Sequence, residues 1–65
     1  MNQNIIAAEM FINGKEISGC KYILDHGLEL ESVRSLVHKH CPNPRAMNYF
    51  IDRAWDVVIT ERMTA

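Results

Sequence analysis

His38, His40 and Cys41 stand close together in this 65-residue chain, with Cys20, Asp25 and His26 upstream. Imidazole nitrogen and thiolate sulfur are the usual zinc ligands, and about four such donors must converge on one ion. His38 and His40 are two positions apart, so on a helix they point about 200° away from each other. No Cys-x-x-Cys or His-x-x-x-His spacing is present. No metal site and no cofactor are expected. A cysteine beside a histidine is the raw material of a nucleophile–base pair, and Asp25-His26 is an acid–base doublet. Neighbouring residues on a helix face different ways, and so short a chain has little room for a pocket of about 300 Å³ or more. The chain is therefore expected not to be an enzyme. His38, Lys39 and His40 are better explained as cations at a helix C-terminus, and the cysteines as small core residues.

The elements that must position these residues are set by a corner, Cys41-Pro42-Asn43-Pro44. Pro42 pushes Cys41 out of the helical region. Asn43 offers a capping oxygen, and Pro44 suits the first helical position. Upstream, Leu30, Val33, Leu36 and Val37 predict an amphipathic helix from about Glu29 to His40. Downstream, Met47, Phe50, Ile51, Ala54 and Val58 form the stripe of a longer helix from Pro44 to about Arg62. The two are expected to fold as a C-terminal helical hairpin with these stripes facing each other.

A shorter helix is expected from Ser18 to His26, capped by Ser18 and stopped by Gly27. The segment Ile5 to Ile12 admits two readings. Helix formers at Ala7, Ala8, Glu9 and Met10, an Asn4 cap and a stop at Asn13-Gly14 favour a helix. Asn-Gly between Ile12 and Lys15 is equally a hairpin signal. The fold class expected is all-α, one small domain over 1–65 with three to four short helices; the alternative is α+β with an N-terminal β-hairpin.

Composition narrows function. Formal net charge is −1 and no basic run occurs, which disfavours non-specific nucleic-acid binding. The apolar run at Ile5–Ile12 is too short, and too interrupted by Glu9, for a signal peptide or a membrane span. With two cysteines and no sign of secretion, reduced thiols and a cytoplasmic location are expected. Hydrophobic residues make up 48% of the chain, more than so small a core needs, which suggests apolar surface left for a partner or a second copy.

Residues 18–40 resemble a helix-turn-helix: a short helix, a turn at Gly27, then a helix with Val33 and Leu36 at core spacing. The match departs at Ile23, where a small residue is usual, and at His26, where an apolar one is. Glu29 and Glu31 would face phosphates. The resemblance implies Ser32, Arg34, Ser35 and Lys39 as DNA contacts. DNA binding by a transcriptional regulator is thus the alternative function, and it is disfavoured. The leading expectation is a small, non-catalytic regulatory protein, of the size common among accessory and phage-type genes. It would bind a protein partner or its own copy through Tyr49, Trp55 and Ile59, since aromatics are enriched at binding hot spots.

Overall fold

The structure is a computed structural model and describes residues 2–64. Four helices follow one another: α1 (Gln3–Ile12), α2 (Glu16–Asp25), α3 (Leu30–His40) and α4 (Pro44–Thr64). There is no strand among the described residues, so the chain is a small all-α bundle and the N-terminal segment is a helix rather than a hairpin.

The choice at Asn13-Gly14 is made by backbone geometry. A two-residue hairpin turn of this sequence wants φ > 0 at both residues. Here Asn13 has φ −86° and only Gly14 is left-handed, at +80°. The Gly14 N–H donates to the Phe11 carbonyl (3.1 Å) and the Lys15 N–H to that of Met10 (2.8 Å), which is the Schellman pattern that closes a helix. Gly27 (φ +63°) repeats it, with Leu28 N–H donating to Ile23 at 2.9 Å.

The helix starts differ from expectation by a turn or less. Asn2, not Asn4, caps α1, its Oδ1 accepting the Asn4 N–H at 2.9 Å. Lys15 is at once the residue that closes α1 and the one that precedes α2, so α2 begins at Glu16 and Ser18 falls inside its first turn without capping. Glu29 precedes α3 with no side-chain cap. Asn43 caps α4 as expected, its Oδ1 accepting the Ala46 N–H at 3.3 Å.

The core is built from Ala7, Ala8 and Phe11 of α1, Cys20 and Ile23 of α2, Val33 and Val37 of α3, and Ile51, Ala54 and Val58 of α4. Two expectations about it are corrected. α3 gives much of its inner side to α1, so α4 packs chiefly on α2 and only sparsely on α3. Phe50 is not core: it is 52% exposed, because the buried stripe runs Ile51, Ala54, Val58 and Phe50 lies about 100° to one side of Ile51. Met47 and Trp55 are partly buried against the core. At ~1.5 Å per residue the 21 residues of α4 reach about 31 Å, nearly the long axis of a body measuring 35 × 27 × 17 Å.

Candidate functional site

α4 has two working sides. Its inner side supplies Ile51, Ala54 and Val58 to the core. Its outer side carries Tyr49, Phe50, Arg53 and Val57, at i, i+1, i+4 and i+8, all exposed. These side chains touch one another. The Tyr49 and Phe50 rings meet edge to face, centroids 5.6 Å apart at 77°. The Arg53 guanidinium lies over the Tyr49 ring, 5.7 Å from its centroid, and Nη1 donates to the Tyr49 hydroxyl at 3.4 Å. Each contact limits rotamers that a binding partner would otherwise have to freeze. Toward the C-terminus a shallow hollow continues this side, lined by Arg53, Asp56, Val57, Thr60 and Glu61. One helix supplies every wall, so it is open surface and not a cavity.

The three residues expected to bind a partner do not share a face. Tyr49 is outward, while Trp55 and Ile59 are half-buried, Trp55 against the core. On an ideal helix Trp55 lies about 120° from Tyr49, and Ile59 only about 40° from Trp55. Phe50, Arg53 and Val57 are the neighbours that Tyr49 actually has. The i, i+4 run Tyr49–Arg53–Val57 was visible in the sequence; Phe50 was hidden by its equally good fit to an inner stripe with Met47 and Ala54.

The four residues expected for DNA also divide. Ser32, Ser35 and Lys39 are exposed on α3 at i, i+3 and i+7, with the Ser35 hydroxyl donating to the Glu31 carbonyl at 3.0 Å. Arg34 points the other way, toward α4, and its side chain is only 17% exposed. Its Nη2 donates to Asp52 Oδ1 at 2.9 Å and its Nη1 to Asn48 Oδ1 at 3.0 Å. Glu31 lies 3.3 Å from its Nε, close enough for charge attraction but misaligned for a hydrogen bond. Arginine is donor-only, so the Asn48 oxygen must face it. His38 Nε2, 2.7 Å from that same oxygen, must then carry a proton and donate.

The other chemically capable residues are dispersed. The Asp25 carboxylate takes Arg62 of α4 (2.8 Å), while His26 stacks on Tyr22 at 3.9 Å between centroids and donates from Nδ1 to the Tyr22 carbonyl at 3.0 Å. Cys20 and Cys41 are free thiols. Burial, with help from the nearby Glu16 carboxylate, pushes the Cys20 thiol up to about 11, which leaves it unreactive at neutral pH. Among the described residues no three His, Cys, Asp or Glu side chains converge to hold a metal, and no helix is long and apolar enough to cross a membrane. A second feature is a groove of about 290 Å³ between α1 and α3, lined by Ile5, Ala8, Glu9, Ile12, Leu36 and His40. That is at the low end for a small-molecule site.

Compared with known proteins, the chain matches no family model, no curated protein and no solved structure.

Proposed function

We propose that this is a non-catalytic interaction module, a small cytoplasmic regulator that acts by docking a protein on the outer side of α4. One observation supports the reading above the rest: Tyr49, Phe50 and Val57 are exposed together, and Arg53 is held over the Tyr49 ring. Tyrosine and arginine are among the residue types that carry most binding energy at interfaces, and a soluble monomer rarely gathers large apolar side chains on one helix face. The DNA alternative has no comparable support, since the one arginine expected to contact DNA is committed to Asp52 and Asn48.

The test is photo-crosslinking in the cells that make the protein. Benzoylphenylalanine is placed at Val57, on the outer side of α4, and in a control at Lys21, exposed on α2. A defined protein adduct from position 57 and none from position 21 is the expected result. No adduct from 57, or the same adducts from both, overturns the reading.

A further inference from the structure

We infer that the occupant of the α4 surface is a second copy of this chain, docked antiparallel about a twofold axis that crosses α4 between Arg53 and Val57. The inference rests on the reading of that surface as a docking site. What singles out a second copy is the order of the charges. Of the charged residues along α4, Asp52 is taken by Arg34 and Arg62 by Asp25. Those that remain on or beside the outer side are Arg45 and Arg53 in the N-terminal half and Asp56 and Glu61 in the C-terminal half. None of these four makes an ion pair among the described residues.

A surface that is positive at one end and negative at the other is complementary to itself when turned end for end. Antiparallel pairing brings the basic half of each helix onto the acidic half of the other; parallel pairing sets like against like. The helix macrodipoles favour the same choice. A twofold axis makes each contact occur twice. With the axis between Arg53 and Val57, Arg53 of one copy comes level with Asp56 of the other. Tyr49 comes level with Thr60 and Glu61, whose polar atoms its hydroxyl can reach. The Phe50 ring lies about one helical turn from Val57 of the other copy, so each aromatic covers an exposed aliphatic side chain.

The interface would be modest. One helix side about 31 Å long and 10–12 Å wide offers on the order of 350 Å² per copy, against about 800 Å² for a standard stable complex. An interface of that size belongs with weak, transient contacts, so a reversible dimer in rapid exchange with monomer is the expectation.

Sedimentation equilibrium of the full chain from about 10 µM to 1 mM tests this, using the wild type, Arg53→Glu, Asp56→Arg and an equimolar mixture of the two variants. Both positions are exposed, and circular dichroism verifies that each variant keeps its helix content. The wild-type mass should climb from 7.5 kDa toward twice that value. Each single reversal sets like charges across the axis and should weaken association by about tenfold. The mixture should recover it, because both cross-axis pairs are then opposite in sign. A wild type that stays monomeric, variants that associate as well as wild type, or a mixture that recovers nothing would each overturn the inference. The crosslinking experiment separates the two levels. An adduct at Val57 whose mass differs from that of a second copy, together with a monomeric wild type, retires self-pairing and leaves the docking surface standing. No adduct of any mass retires both.

Discussion

Gly19 lies against the ring of Phe11, so close that a Cβ built on it would sit 3.0 Å from Cε2 and 3.1 Å from two more ring carbons. Phe11 is fully buried, so its ring can give way only by shifting the side chains packed around it. The missing side chain at Gly19 is therefore what lets α2 close on α1. Alanine ordinarily stabilises a helix interior by up to ~1 kcal/mol over glycine, but here overpacking should cost about 1–3 kcal/mol. Gly19→Ala is expected to lower stability by about 1 kcal/mol net, read by urea denaturation. Gly19→Ala combined with Phe11→Leu should lose less than the sum of the two single changes, because the smaller side chain relieves the contact. Additive losses would show that the two residues do not meet.

The two phenylalanines should behave oppositely. Phe11→Ala opens a cavity in the core and is expected to cost about 3–5 kcal/mol, enough to unfold much of a domain this small. Phe50→Ala removes a half-exposed ring and should change monomer stability by less than ~1 kcal/mol. The same substitution should abolish crosslinking from Val57. Thermal melts of both variants at concentrations well below self-association make the comparison.

The division between what local spacing reveals and what it hides is clear at particular residues. Gly27, Asn43 and Pro44 act on their immediate backbone, so the stop of α2 and the start of α4 are readable in the sequence, whereas Asn13-Gly14 fits a helix stop and a hairpin turn alike and only the backbone at Asn13 separates them. Phe50 and Ile51 both fit an apolar stripe of α4, and only the direction of the neighbouring helix decides which is buried. That direction depends on α3 packing against α1 and leaving α4 to lie on α2, which no local pattern encodes. Arg34 shows the same limit at the candidate site. On α3 it reads as a free cation, yet its partners Asn48 and Asp52 lie 14 and 18 positions downstream. Of the outer-side residues the sequence singles out Tyr49 alone; its grouping with Phe50, Arg53 and Val57 needs the helix axes.

Arg34 is the main polar tie between α3 and α4. Arg34→Ala should cost about 1–2 kcal/mol, since it removes a largely buried side chain with its hydrogen bonds and leaves the part-buried Asn48 oxygen dependent on His38. Asp52→Asn should cost less than ~1 kcal/mol, because Asp52 is mostly exposed and its charge is screened. The double variant should cost little more than Arg34→Ala alone, and a double-mutant cycle on denaturation free energies checks this. Strict additivity would mean that the two side chains do not interact in solution.

Cys20 ties stability to alkaline pH. Its thiol ionises near 9.0 in the unfolded chain and only at about 11 in the fold. Below pH 9 both states hold the proton, and the burial contribution is intact. Between pH 9 and 11 the unfolded state releases its proton first and binds fewer protons than the native state, so stability falls as pH rises. The loss attributable to this group is on the order of 2–3 kcal/mol. Cys20→Ala should flatten that part of the pH–stability curve relative to wild type, whatever other groups titrate there. Alkylation gives a second readout at pH 8: Cys41, only partly buried, should react in the folded protein, and Cys20 only as fast as the domain unfolds.

Because α4 presents Ile51, Ala54 and Val58 on one side and Tyr49, Phe50, Arg53 and Val57 on the other, the helix that completes the core is also the helix that would be covered. Anything that binds the folded form alone raises its resistance to unfolding, by about 2.7 kcal/mol at a hundredfold excess over Kd. A chain of 65 residues has little stability to spare, so an uncovered copy opens more often and meets proteases more often than a covered one. The lifetime of the protein in the cell would then follow the supply of whatever covers α4, and its abundance would adjust to that supply without any separate degradation signal.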